Sequence, residues 1–491
     1  MPRYLIVCCL LSALTLTPAR AAPLAGLPAE VTQTFQHHGL SARGFSAYVH
    51  EVGQPEALLT VGADVPRNPA STMKLLTTLV ALEELGPAWT WKTEAYTSAP
   101  LRDGVLHGDL YVKGYGDPYL VIEHFWRFLR ALRKAGLSEI RGDLIIDQSY
   151  FEASAALASD FDRRPNRAYN VQPRALMVNF QAIQFRFLPQ PRQQRVQIVA
   201  DPQPAQFALD NRVRLSTGPC GGGARAVGMR TAGRAHSQKL VFNGRYSTHC
   251  GDEELYRVVA ESSDYIHGVF KSMWEELGGR FNGKLREGAV PEDMPLLHTA
   301  TSPPLSELIR VINKYSNNVM TRQLLLTLGA EKYGAPGTVA KGIAAIHDWL
   351  GERQLQFPEL VLENGSGLSR DERISARHLG AVLLNAWRSP YMPEFLASLP
   401  VMAMDGTLRR RKAGGLSGRA HLKTGSLDNV RTQAGLLLDE QGRRMVIVML
   451  HNDVRADTAA GEAVQNALLQ WVYHRPAEPS AVPLAPASAP L

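Results

Sequence analysis

Four cysteines in 491 residues are too few for a metal site built on thiols. Two of them, Cys8 and Cys9, lie inside an N-terminal apolar run from Tyr4 to Leu16, which leaves only Cys220 and Cys250. No tight grouping of cysteine and histidine accompanies that pair, so no metal is expected. No later apolar run reaches the roughly 20 residues that a membrane helix needs, and no integral membrane segment is expected. Nor is there a concentrated basic stripe with interleaved aromatics, which argues against a nucleic-acid partner. Internal repeats are absent.

What is present reads as an exported globular protein. Met1-Pro2-Arg3 precedes the apolar run, and Ala19-Arg20-Ala21 closes it with a small-x-small pattern. This is a secretory leader, 1–21, with cleavage expected after Ala21. Losing Arg3 and Arg20 with the leader lowers the formal charge of +7 by two, a balance that suits an anionic envelope as well as an ordinary solvated surface. In an exported chain, the even pair Cys220 and Cys250 reads as a disulfide. From 475 to 491 the chain is rich in Pro, Ala and Ser and is expected to be a disordered tail.

Between these ends, patterning predicts mixed α and β structure. Gly44–His50 and Ala57–Val61 read as two strands of a hairpin joined across Gly53-Gln54-Pro55, and Leu75–Leu85 has apolar positions at helical spacing, stopped by Gly86-Pro87. Trp91–Thr97 and Gly108–Lys113 read as strands joined through Arg102-Asp103-Gly104. Ile122–Ala135 reads as a helix and Gly142–Asp147 as a buried strand, a small α/β unit. Residues 177–260 look mostly β. Helices follow at 265–277, 305–312 and 319–328, then a strand from His421, a hairpin at 434–450 and a final helix at 456–473.

The chemistry-bearing stretch is Ser71-Thr72-Met73-Lys74, at the start of the helix that runs to Leu85. Residues three apart share a helix face, so a hydroxyl and an amine come within reach beside free N–H groups and the positive end of the dipole. That field favours an anionic oxygen and disfavours a proton on the lysine, as a serine nucleophile with a lysine base requires. Ser71 is the only serine with lysine three places on, although a helix-capping serine followed by a solvated lysine has the same spelling. Two further patterns follow in order: Ser316-Asn317-Asn318 at a helix–helix connection, and Lys423-Thr424-Gly425 at a strand edge. Alone, the first could be a helix cap and the second an ordinary strand end.

Together, S-x-x-K, S-x-N and K-T-G are the set of the penicillin-recognising serine acyltransferases. Roughly 240 residues separate Lys74 from Ser316, far more than one compact domain needs, so one or two domains are inserted there. That insertion is accompanied by Gly114-Tyr115-Gly116-Asp117-Pro118, Asn364-Gly365-Ser366-Gly367-Leu368-Ser369-Arg370 and Met404-Asp405-Gly406-Thr407-Leu408. With these segments the chain resembles the class C low-molecular-mass penicillin-binding proteins, the D-alanyl-D-alanine carboxypeptidases and endopeptidases of the penicillin-binding protein 4 type.

The resemblance implies an α+β multidomain fold with a serine β-lactamase-like catalytic domain, an antiparallel sheet flanked by helices, and a nested insertion between the first two motifs. It places the catalytic domain at 25–90 and 296–474, a second domain at 91–113 and 185–295, and a third at 114–184. It implies that Ser71 is acylated and Lys74 takes its proton. Ser316 relays a proton to the departing amine, and Asn318 holds the substrate amide. Lys423, Thr424, Gly425 and Ser426 bind the substrate carboxylate or allow its close approach, and Lys423 helps keep Lys74 neutral. The N–H groups of Ser71 and Ser426 form the oxyanion hole. No cofactor is implied. The expected partners are peptidoglycan stem peptides and β-lactams, with a homodimer left open, and the expected compartment is the periplasm. The rivals are a β-lactamase, with Glu352 as a water-activating base, and a non-catalytic wall-binding or sensor protein on the same fold.

Overall fold

The computed structural model describes residues 26–154, 157–234, 237–412 and 414–476. The expected leader at 1–21, and all but the first two residues of the expected tail at 475–491, lie outside the described residues. Among the described residues no helix is long and apolar enough to cross a membrane.

The two ends of the chain build one antiparallel sheet. Its order is Ala420–Leu427, Val430–Leu438, Arg444–Asn452, Phe45–Glu51 and Leu59–Val61. The junction between the chain ends runs in full register from Phe45 against His451 to Glu51 against Met445. Side chains alternate faces along a strand, and here both faces are apolar. Val446, Val448 and Leu450 join one core with Tyr48 and the helices Lys74–Leu85, Leu305–Tyr315 and Ala376–Arg388. Met445, Ile447 and Met449 join the opposite core with Ala47, Val49 and the helices Ala29–His38 and Ala459–Tyr473. A sheet covered by helices on both faces is what near-continuous apolar strands require.

The helix Lys74–Leu85 is the centre of the first core. Every residue from Lys74 to Leu82 is buried, so it has no polar face of its own. Burying one of its leucines stabilises the fold by about 1.5–3 kcal/mol, and the same packing strips water from Lys74.

The insertion carries three more sheets. One is five-stranded, ordered Leu285–Glu287, Leu144–Asp147, Leu110–Gly114, Lys92–Thr97 and Leu296–Thr301. Leu144–Asp147 runs parallel to Leu110–Gly114 with the helix Ile122–Lys134 between them, a β-α-β unit as the sequence suggests. The expected divisions at 114 and 296 both fall within this sheet, because Leu144–Asp147 and Leu296–Thr301 pair with strands of 91–114. The loop expected as a plain turn at Arg102-Asp103-Gly104 forms a two-residue hairpin, Leu101–Arg102 with Val105–Leu106, inside a small four-stranded sheet. A six-stranded sheet spans Ile183–Arg257. A single apolar cluster, with Phe125, Phe185, Phe242 and Trp274 at its centre, joins these layers.

Cys220 and Cys250 are bonded, 30 residues apart, at the rim of the six-stranded sheet. Closing a loop of that length is worth about 3–4 kcal/mol in the chain-entropy model. Replacing both cysteines with serine is expected to lower the thermal stability of the inserted region and leave the acylation rate at Ser71 within a few-fold of wild type. Calorimetry with single-turnover kinetics checks this. An equal loss in both would tie the bridge to the active site.

Candidate active site

The site assembles from three elements that meet at Ser71. Ser71 lies in a 3-10 turn, Ala70–Met73, and the regular α-helix begins at Lys74, one turn later than the sequence pattern suggests. Two features tighten this turn. Ala70 takes a left-handed φ of 44°. Three donors, the Thr72 N–H and the hydroxyls of Thr72 and Thr432, converge on the Pro69 carbonyl. Ser71 stays half-buried at the mouth of a cleft, while Lys74 is fully buried behind it.

The second element is the junction between the helices Leu305–Tyr315 and Asn318–Tyr333. Asn317 caps the later helix by accepting from the Met320 N–H at 3.0 Å. Ser316 takes a left-handed φ of 58° and ends the earlier helix. This conformation, uncommon for serine, splits the motif. Asn317 does the capping, and Ser316 and Asn318 are left to face the two lysines.

The third element is the edge strand Ala420–Leu427. Gly425 lies against the nucleophile's turn so closely that a Cβ there would sit 2.2 Å from the Thr432 hydroxyl oxygen and 2.8 Å from the Ser71 nitrogen. Only glycine permits that approach. Lys423, fully buried, donates to the Ser316 hydroxyl at 2.9 Å and to the Thr424 carbonyl at 2.7 Å. The Thr424 hydroxyl bonds that of Thr407 at 2.7 Å. Ser426 is exposed beside them. Ser71, Ser316, Asn318, Lys423, Thr424, Gly425 and Ser426 thus surround one cleft. Its two lobes, of about 390 and 840 Å³, both touch Ser71, Ser316 and Ser426.

The partners of Lys74 decide what it can do. Its Nζ lies 3.0 Å from Ser71 Oγ and 2.6 Å from Asn318 Oδ1, and close to the Ser366 carbonyl. The last two are acceptors only. A neutral amine has two hydrogens and one lone pair. It donates to Asn318 and Ser366, and the lone pair is left for the Ser71 proton. Burial comes first among the causes that push Lys74 well below the ordinary lysine value, followed by the positive field of Lys423; Glu372 acts in the opposite sense. Burial pushes Lys423 itself down to about 7. Burial thus disfavours the charged form of Lys423. An anionic ligand favours that form.

The model of the D-Ala-D-Ala carboxypeptidase 3 (S13) family matches residues 27–474. The chain belongs to this family. As an S13 chain it is a serine-type D-Ala-D-Ala carboxypeptidase. It is similar to a D-alanyl-D-alanine carboxypeptidase of an Actinomadura species, 30% identical over 430 residues, which cover 84% of this chain and 78% of the relative. Its fold is similar to the crystal structure of penicillin-binding protein 4 from Haemophilus influenzae: TM-score 0.73, 22% identity, 90% of this chain and 99% of that one. A predatory endopeptidase from Bdellovibrio bacteriovorus, solved in complex with an immunity protein, matches at TM-score 0.51 and 16% identity, over 87% of this chain and 92% of that one.

Three parts of this S13 site were not legible as such. The Ser366 carbonyl completes the cradle of Lys74, and a backbone acceptor leaves no side-chain signal. The loop that carries it is held by Glu372, whose Oε1 accepts the N–H groups of Glu363, Asn364 and Gly365 at 3.2, 3.0 and 2.8 Å. Arg322, almost wholly buried and pushed down to about 10 by that burial, adds positive field near Lys74 and donates to the Tyr169 carbonyl of the insertion at 2.7 Å. Glu352 ends the helix Val339–Glu352, is exposed, pairs with Lys332 and Arg353, and lines neither lobe of the cleft.

Proposed function

We propose that the chain is an exported, periplasmic DD-peptidase that cleaves peptidoglycan stem peptides, and their D-alanyl cross-links, through an acyl-enzyme on Ser71, and that β-lactams acylate the same oxygen. The observation that carries this reading is the surroundings of Lys74, whose Nζ meets two pure acceptors, Asn318 Oδ1 and the Ser366 carbonyl, and lies 3.0 Å from Ser71 Oγ, so that the neutral amine donates to the first two and can accept from Ser71. The Ser71 oxygen attacks the carbonyl of the penultimate D-alanine while its proton passes to Lys74. The negative oxygen of the intermediate is held by the N–H groups of Ser71 and Ser426, whose strand is pressed against the nucleophile by Gly425. The carbon–nitrogen bond then breaks. The leaving nitrogen takes a proton relayed through Ser316, which Lys423 holds in place. Asn318 orients the substrate amide, and Lys423, Thr424 and Ser426 bind its carboxylate. Water then cleaves the ester and restores Ser71.

We further propose that 25–90 and 296–474 supply these reacting groups as the catalytic domain. The inserted 91–113 with 185–295, and 114–184, act as walls. Asp162 and Tyr169 of the insertion, which line the larger lobe, support this role. Incubation with cross-linked and uncross-linked muropeptides, resolved by mass, tests the reading. The expected products are free D-alanine from the pentapeptide and separated strands from the cross-linked dimer. Intact dimer alongside D-alanine release would restrict the enzyme to carboxypeptidase work. No product from either would overturn the reading.

A further inference from the structure

A second cavity is lined from the strands Lys92–Thr97 and Leu296–Thr301 and the helix Ile122–Lys134. It measures about 330 Å³, at the small end of the range for ligand pockets, and is lined by Thr93, Asp117, His124, Arg127 and His298, with Phe128 among its apolar walls. Asp117 is 5% exposed. One of its carboxyl oxygens accepts the Tyr119 N–H at 2.8 Å, and burial pushes the group up to about 7. Thr93 is 2% exposed, and its hydroxyl has no hydrogen-bond partner among the described residues. A buried hydroxyl without a partner costs about 1–3 kcal/mol unless something fills the site. His124 stacks edge-on to Tyr119, His298 lies against Phe128, and burial holds both imidazoles below their ordinary value. Arg127 stands exposed at the rim.

The chemistry of the wall selects the ligand. The carboxyl of Asp117 can receive an ammonium group. The Arg127 guanidinium, the two imidazoles and the Thr93 hydroxyl can receive a carboxylate. A divalent cation does not suit the site, because the three-donor grouping close enough to hold an ion among the described residues is Cys220, Cys250 and Glu253. A phosphate would face the carboxyl of Asp117.

We propose that this cavity binds a small amino-acid zwitterion, and specifically the D-alanine that the reaction releases. The choice of D-alanine rests on the carboxypeptidase reading. The site is also connected to the catalytic helices. The side-chain amide of Gln323, on the helix that carries Asn318, donates to the Asp117 carbonyl at 3.4 Å. Pro303 lines the cavity just before the helix that ends at Ser316.

The test uses the full chain with Ser71 first acylated by penicillin, checked by intact mass, so that the catalytic cleft is blocked. Saturation-transfer NMR is then run with D-alanine. The expected result is transfer to D-alanine that survives acylation. It should fall at least tenfold in Arg127→Ala and in Thr93→Val, both with an unchanged acylation rate, and with a melting temperature no lower than wild type. Loss of transfer on acylation, transfer in both variants equal to that of wild type, or competition by inorganic phosphate instead of by glycine would overturn the proposal. If penicillin fails to acylate, the proposed function fails separately, and the same NMR arms on Ser71→Ala still decide the cavity.

Discussion

Lys74→Arg is expected to acylate with penicillin about 1,000-fold or more slowly than wild type, the scale of a lost general base. Arginine keeps its proton at any working pH, so it offers Ser71 no lone pair. It also needs acceptors for five N–H groups where Lys74 is met by Asn318 Oδ1, the Ser366 carbonyl and Ser71 Oγ. Lys423→Arg should lose far less, because the work of Lys423 is to carry charge beside Ser316 and the substrate carboxylate. The two lysines also set the pH profile of kcat/KM, which reports the free enzyme. Acylation needs Lys74 neutral, so the rate rises with pH as Lys74 loses its proton. Carboxylate binding needs Lys423 charged, so the rate falls as pH passes its value of about 7. Arginine at 423 keeps its charge, and the falling limb should move to higher pH. Stopped-flow acylation by a chromogenic β-lactam and pH profiles of peptide turnover check both points. Equal losses in the two variants, or an unmoved falling limb in Lys423→Arg, would remove Lys74 as base or Lys423 as the titrating cation.

Gly367→Ala is expected to cost at least 100-fold in acylation and to lower the melting temperature. Gly367 has φ 78°, and a Cβ there would lie 1.8 Å from the Ala70 carbonyl oxygen, 2.2 Å from its carbon and 2.7 Å from the Ser71 nitrogen. All three atoms are backbone, so no side chain can swing aside. The left-handed φ adds about 1–2 kcal/mol for alanine. Relief comes by pushing apart the turn that carries Ser71 and the loop that carries the Ser366 carbonyl. A displacement of about 1 Å between reacting groups is enough for such a rate loss. Gly334→Ala is the matched control. Its φ is 80°, but nothing lies within 4 Å of its Cβ, so it should pay only the backbone cost and acylate normally. A stable Gly367→Ala that acylates within a few-fold of wild type would show that this contact does not position Ser71.

Much of this site is legible because its parts are local in sequence. Ser71 and Lys74 face each other across one turn, and Asn318 and Ser316 flank a capping residue. Lys423, Thr424 and Gly425 occupy consecutive places on a strand. What escaped the sequence is what acts across it. Glu372 holds the 363–365 backbone through three backbone N–H groups, a role any acceptor at that point would fill. Arg322 is one residue among many in an apolar helix, and only its burial and its reach to Tyr169 mark it. The fold divides similarly. Short apolar runs bounded by turn residues made the strands around Phe45 and Met445 visible, but their pairing, which closes the two chain ends into one sheet, depends on contacts about 400 residues apart, and no periodicity encodes those. The apolar spacing predicts α-helix at Ser71 where the structure has a 3-10 turn, because the backbone contact at Gly367 that accompanies its tight winding comes from a distant loop.

The central claim is that Ser71 becomes covalently acylated. Intact-mass spectra of the protein with penicillin, followed over hours with peptide mapping, test it most directly. The expected result is one penicilloyl group per chain, mapped to the peptide that holds Ser71, absent from a folded Ser71→Ala and still present after hours. Label that persists on Ser71→Ala, or maps elsewhere, would contradict the claim. A wild-type adduct lost within minutes, and stabilised by Glu352→Gln, would make the chain a β-lactamase.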